Sequence, residues 1–346
     1  MLRKMIRKII CIGLILITNH IATAQSFTMQ HFTLPKSISI RALAVLNDSV
    51  CWLGGSNSTF GYTTDAGITW TTDSIATGKL TDFRSIAVIN DSTILLANIG
   101  SPARIYRSSD YGKHFTVVYE NNHSDVFIDA LSFKNNSEGY AVSDPVNQCI
   151  LILHTIDGGN TWQPVPCNSI TTPDAGEAFF AASNSNIIYT DNGVHILSGG
   201  NRSRIFSNHG KGFIAYDTPV IRGAPMHGIY TACAQNQNIF IGGGDYNNKS
   251  YNHCNKAVSN NGGISFKLVA NGKPPGIISC AQYVPHKSKN LLALSLPGIY
   301  YSKNNGTSWK LIDAQANYYT CRFSPSGKVC YLAGPKGNIA ILWFKQ

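Results

Sequence analysis

Almost nothing in this 346-residue chain carries the 3.6-residue apolar stripe of an amphipathic helix, which argues against helical bundles and against folds that alternate strand with helix. A long hydrophobic run is also missing. Ile9 to Thr18 is too short to span a bilayer comfortably and no second such run follows, so no integral membrane segment is expected in the mature chain. No Lys/Arg block stands downstream of residue 8, which removes a nucleic-acid track from consideration. There is no CxxC, and His253-Cys254 is the closest Cys/His pairing, too little for a metal centre. A G-x-G-x-x-G in a βαβ context and a haem-type CxxCH are likewise missing, so no cofactor is expected.

What is present begins with an export signal. Arg3, Lys4, Arg7 and Lys8 form a positive region, Ile9 to Thr18 an apolar region, and Ala22-Thr23-Ala24 a small-residue cleavage site. Residues 1–24 are read as a signal peptide and residues 25–346 as the mature domain, secreted or periplasmic. Removing the signal lowers the formal charge from +10 to +6. That mild excess is compatible with an acidic partner. Eight of the nine cysteines lie in the mature chain. They read as small buried strand residues, with Cys51 and Cys330, at similar places in the first and last repeats, the pair to test for a disulfide.

One octapeptide organises the rest. Thr155 to Trp162 (TIDGGNTW) recurs as TTDAGITW from Thr63, SSDYGKHF from Ser108, SNNGGISF from Ser259 and SKNNGTSW from Ser302, with a shortened relic, SNHGKGF, from Ser207. The third-position residues Asp65, Asp110, Asp157, Asn261 and Asn304 are separated by 45, 47, 104 and 43 residues, the relic falling in the long gap. Such a period means a repeat architecture. Each period holds four short apolar runs bounded by Gly, Asn, Asp and Ser, which is one antiparallel propeller blade. Seven units of about 46 residues account for the mature chain, six being the alternative count. The seventh ends at its third strand, and Ser26 to Phe32 is the expected donor of the missing one.

Within the octapeptide the Asp or Asn can accept backbone N–H groups of its own turn, the Gly supplies a backbone conformation that a side chain would strain, and the Trp or Phe covers the sheet. This is fold chemistry. Metal binding at these positions is disfavoured, because the copies lie on separate blades and two of them carry Asn.

The unit resembles the Asp-box, or BNR, repeat of sialidases and related propellers. The mature chain also resembles the bacterial branch of the photosystem II assembly and stability factor family, through Asp82-Phe83-Arg84, Phe127-Ile128-Asp129-Ala130, Ser143-Asp144-Pro145-Val146, the stretch Gly176 to Ser183, Gly199-Gly200 with Ser203-Arg204, and Gly243-Gly244-Asp245-Tyr246. That resemblance implies an all-β, seven-bladed propeller and an interaction or assembly role.

Superposing the first strands of successive units places Arg41, Arg84, Asp129 and Glu177 at one equivalent position near the channel mouth, with Asp82, Asp144 and Asp245 extending its rim and Arg204 and Arg222 within reach. Two readings follow: a buried ionic plug that sets blade register, or a binding funnel for a protein or an anionic glycan, with Tyr246 at its edge. A hydrolase would need Asp129 and Glu177 roughly 5 to 10 Å apart in one cleft beside at least two arginines. A sialidase would further need an arginine triad, for which Arg41, Arg84 and Arg204 are the candidates, but no Arg-Ile-Pro motif precedes the first box. Lyase chemistry on an acidic polysaccharide would draw on Tyr246, Tyr283 or His227. A non-catalytic scaffold is the favoured expectation.

Overall fold

Short strands with apolar side chains on both faces can be buried on both sides when sheets stack face to face, and a ring of such sheets leaves none of them at an open end. A computed structural model, describing residues 27–296, 298–314 and 317–344, shows this arrangement as seven antiparallel sheets. Blade 1 consists of Ile40–Val45, Cys51–Gly55, Thr59–Thr63 and Thr71–Ser74; blade 2 of Phe83–Val88, Ile94–Asn98, Ala103–Ser108 and Thr116–Asn121; blade 3 of Ile128–Phe133, Gly139–Val146, Cys149–Thr155 and Gln163–Pro164. Blades 5 and 6 have the same order, with innermost strands His227–Gln235 and Ile278–Tyr283. Blade 7 contributes Thr320–Phe323, Val329–Ala333 and Asn338–Phe344, and Phe27–Thr33 pairs antiparallel with the last of these to complete it.

The apolar core is divided into seven clusters, one for each interface between neighbouring blades. This division corrects the expectation for Cys51 and Cys330. Cys51 packs with Tyr331 and Ile341 in the core between blades 7 and 1, whereas Cys330 packs with Cys280 and Leu292 between blades 6 and 7. The two thiols therefore face opposite sides of blade 7 and both are free. The disulfide instead joins Cys149 to Cys167 across 18 residues.

The octapeptide turns brace the outer strands. In blade 3 the Thr155 hydroxyl donates to Asp157 Oδ1 at 2.8 Å, and the Thr161 amide and hydroxyl donate to the same carboxylate at 3.0 and 2.7 Å. Gly159 has φ +75°, a conformation that favours glycine, and a Cβ there would stand 2.4 Å from a Leu95 methyl group, which would have to shift. The closing aromatic of one blade packs on its predecessor: Phe115 meets Phe60 edge-on at 5.1 Å, and Trp309 meets Phe240 at 5.6 Å.

Blade 4 departs from expectation by one strand. The apolar run Ala178–Ala182 has the length of an innermost strand but does not form one. Its head, Glu177–Ala178, pairs with Gly199–Gly200, which pairs in turn with Gly228 of blade 5. A Cβ on Gly228 would lie 2.4 Å from the Gly199 Cα, so this backbone approach tolerates only glycine. Phe179 enters the core between blades 3 and 4, and Phe180 stacks on Tyr230 at 4.3 Å. The chain then runs down the axis of the ring before the true innermost strand, Ile187–Thr190, begins; Gly193–Leu197, Arg204–Asn208 and Phe213–Asp217 follow it.

Candidate functional site

In blades 1, 2, 3, 5 and 6 the ladder of the innermost strand slips near its start, leaving Arg41, Arg84, Asp129, Tyr230 and Ser279 unpaired. A bulge re-aims the side chain it carries. Arg41, Arg84, Tyr230 and Ser279 all line one cavity of about 390 Å³ at the mouth of the channel, walled by Phe127, Phe179, Phe180, Met226, Tyr246 and Tyr319. The equivalence expected for Arg41, Arg84 and Asp129 is thus a shared bulge. Glu177 does not belong to it, because the blade 4 segment is an insertion ahead of the strand.

Arg41 donates to the Ala182 carbonyl at 3.1 Å and lies 4.0 Å over the Tyr319 ring. Burial and the neighbouring Arg84 charge lower its pKa. Arg84 is 3.7 Å from Asp82 on the rim, with both side chains about a third exposed. No acidic side chain is among the residues lining this cavity. Two guanidinium groups, each with donors to spare, therefore face a partly apolar chamber, a combination suited to an anionic group carried on an apolar or aromatic body.

The two candidate carboxylates lie elsewhere. Glu177 is buried, accepts from Ser198 Oγ at 2.5 Å and Arg204 Nε at 2.9 Å, and makes a further short contact with Arg204 Nη2. Arg202 extends this pair, bonding Asp174 at 2.5 Å and reaching Asp217 at 3.6 Å, with Arg222 3.5 Å from the same Asp217. Asp129 is 1 % exposed, and neither of its oxygens makes a hydrogen bond of normal geometry. Burial and the nearby Asp144 charge push its pKa well up, the Ala181 and Asp144 amides and Arg84 pulling the other way. Asp144 accepts the Phe179 amide at 2.7 Å, and burial raises its pKa to about 6 against that bond. Neither Asp129 nor Glu177 lines the mouth, so the arrangement a glycosidase requires is not formed there. Asp245 lies 3.5 Å from His227, and Tyr246 stands at the cavity edge, 6.5 Å from Tyr230 and 5.3 Å from Lys249 Nζ. Tyr283 is on the other side of the ring, in the core between blades 5 and 6.

Below the mouth the channel is closed by Ala182–Asn186. Asn184 accepts the Leu131 amide and donates to the Ile86 carbonyl, both at 2.9 Å; Ser183 donates to the Ser279 carbonyl and Ser185 to Thr231, both at 2.8 Å. Arg322 of blade 7 donates to the Ser183 and Asn184 carbonyls at 2.8 and 2.6 Å. This segment thus bonds blades 1, 2, 3, 5, 6 and 7 before leading into blade 4. Beneath it a second cavity of about 570 Å³ opens on the opposite face. The plug is a neutral polar segment whose carbonyls accept from two arginines, Arg41 on the mouth side and Arg322 of blade 7, not an ionic network. Sequence reasoning missed Arg322, Tyr230 and Tyr319. The run Ser183-Asn184-Ser185-Asn186, too polar for a strand, was the available signal for the plug.

The geometry defines a seven-bladed β-propeller with Asp-box-type turns, a charged aromatic mouth and a closed axis. No helix among the described residues is long and apolar enough to cross a membrane, and no group of three or more His, Cys, Asp or Glu among them is placed to hold a metal. The fold is similar to those of "YCF48 bound to D1 peptide" (TM-score 0.67, 14 % identity, covering 92 % of this chain and 97 % of that one), YCF48 from Cyanidioschyzon merolae (0.64, 15 %, 90 % and 98 %) and the Pan2 WD40 domain of Neurospora crassa (0.65, 14 %, 93 % and 96 %). No protein-family model matches the chain, and no curated protein does.

Proposed function

We propose that this protein is an exported scaffold propeller that captures a segment of a partner protein at the Arg41/Arg84 mouth. The observation that carries the reading is the pairing of two guanidinium groups with an aromatic wall in a cavity without a lining carboxylate. An acidic peptide with an aromatic or apolar residue beside its charge satisfies both parts, and the likeness to a propeller described as bound to a peptide supports it. The signal-like Met1–Ala24, which lies outside the described residues, supports export. A membership in the photosystem II assembly factor family remains part of this proposal, with no photosystem implied. Nothing in the geometry favours the hydrolase reading.

The test is a displayed library of random peptides selected on the purified chain and on an Arg41→Ala/Arg84→Ala variant. Enrichment of acidic, aromatic peptides by the parent alone, with affinity at least tenfold weaker in the variant, is expected; equal enrichment by both removes the proposal. Export is checked by fusing residues 1–40 to a reporter enzyme active only outside the cytoplasm, and an inactive fusion overturns it.

A further inference from the structure

Charge is unevenly divided along the chain. Gln25 to Asp245 has twelve basic and seventeen acidic residues, whereas Tyr246 to Gln346 has twelve basic residues and one acidic residue, Asp313. The second stretch supplies the outer strands of blade 5 and nearly all of blades 6 and 7. The mild overall charge therefore hides a strongly cationic sector beside a mildly acidic one.

The octapeptide turns change at the same boundary. Blades 1, 2 and 3 carry Asp65, Asp110 and Asp157, while the adjacent blades 5 and 6 carry Asn261 and Asn304. The fold role survives the change. Asn304 Oδ1 accepts the Ser308 amide at 2.9 Å and the Ser302 hydroxyl at 3.0 Å, as Asp157 accepts its counterparts, and its Nδ2 donates to Ser308 Oγ at 2.9 Å. Asn261 repeats the pattern with Ser259 and Ser265. What is removed is a negative charge, and in the acidic copies that charge is firmly present: hydrogen bonds from Thr69 and Thr63 hold the Asp65 pKa down to about 2.

Between these two neutral turns lies a cavity of about 310 Å³, on the face opposite the Arg41/Arg84 mouth. Its lining includes Asn304 itself, Lys267 from blade 5 and Lys289 from blade 6, with Asn238, Asn260 and Asn305. Asn305 bridges the blades by donating to Asn260 at 3.2 Å and bonding Tyr283. Lys267 and Lys289 are exposed, and neither has a carboxylate within ion-pair distance among the described residues.

We infer that this cleft between blades 5 and 6 binds an acidic oligosaccharide, with the two ammonium groups on its carboxylate or sulfate and the amide side chains on its hydroxyls. The cavity is the size of a small-ligand site. No aromatic side chain lines it for base stacking, which disfavours single-stranded nucleic acid, and its apolar lining, Val258 and Val269, is recessed between the blades and presents no exposed amphipathic face to a bilayer. The site is separate from the Arg41/Arg84 mouth and stands whether or not that mouth binds a peptide.

The test measures dissociation constants of the purified chain for labelled oligogalacturonate, a carboxylated probe, and for a heparin hexasaccharide, a sulfated one. A single-stranded oligonucleotide of equal charge and vesicles with one-third anionic lipid serve as the other arms. Binding of at least one saccharide is expected to weaken tenfold or more in Lys267→Gln/Lys289→Gln. It should also weaken several-fold in Asn304→Asp, which restores the charge but keeps the turn, with an unchanged melting temperature. Asp157→Asn and Arg41→Ala/Arg84→Ala should bind as the parent does. The inference fails if neither saccharide binds, if both cleft variants bind like the parent, if the Arg41/Arg84 variant alone abolishes binding, or if the oligonucleotide or vesicles bind as tightly with the same losses.

Discussion

Blades 3 and 4 solve the same problem by different means. Blade 3 is a regular unit, its outer hairpin braced by neutral and charge-assisted hydrogen bonds around Asp157 on the solvent side. Blade 4 has lost the acid of its box. It is held instead by the buried Glu177–Arg204 pair, away from the mouth, and by the Ala182–Asn186 segment within the channel. A repeat that keeps its turn is braced by local bonds that its neighbours also make, whereas one that abandons it depends on contacts unique to its place in the ring.

The sharpest break in that comparison is Arg204→Ala. It strands a fully buried Glu177 carboxylate, and uncompensated buried charge costs about 3–5 kcal/mol, read as a lower urea midpoint. Asn184→Ala comes next: it leaves the Leu131 amide and the Ile86 carbonyl without their partner in the axis, a loss of roughly 2–3 kcal/mol by the same measurement.

A third variant acts in the opposite direction. Asp144 has a folded pKa of about 6, above the roughly 3.9 of an unfolded aspartate. The folded state therefore binds this proton more tightly, and the stability it confers is complete below about pH 4 and lost as pH rises through about 6. Asp144→Asn retains an acceptor for the Phe179 amide without the buried charge. It should stabilise the protein by about 1–2 kcal/mol at pH 8, with parent and variant converging near pH 4. A parent midpoint that does not rise between pH 8 and 5 relative to the variant would contradict the assignment. The smallest effect belongs to blade 3 itself: Asp157→Asn should shift stability by no more than about 0.5 kcal/mol, because Asn261 and Asn304 already fill the same place.

These differences track what was legible in the sequence. The octapeptide repeats because its hydrogen bonds are local, and local chemistry recurs wherever the same residues do; hence seven units and the shared position of Arg41, Arg84 and Asp129 could be read directly. Blade 4 misled for the same reason. Ala178–Ala182 arrives at the expected interval with the apolarity of an innermost strand, and only long-range contacts, Phe180 on Tyr230 and Asp144 on the Phe179 amide, reveal it as a descent into the axis. Placing Glu177 with the funnel residues followed from that misreading. Tyr230 and Ser279 were missed because the unpaired positions share no residue type, so only the pairing register identifies them, and Tyr319 was missed because it precedes a strand that has no such slip. The cationic stretch from Tyr246 onward forms no dense Lys/Arg block, and only the fold brings Lys267 and Lys289 together across blades 5 and 6.

The axial segment also determines how the molecule comes apart. A strand at the rim of a blade can fray without disturbing its neighbours, but Ser183, Asn184 and Ser185 are tied to at least five blades at once, so they can be exposed only when the ring itself opens. The Leu131 and Ala232 amides bonded to this segment should therefore be among the last to exchange with deuterated solvent, at a rate set by whole-molecule unfolding. They would serve as an internal clock for the global opening of the propeller.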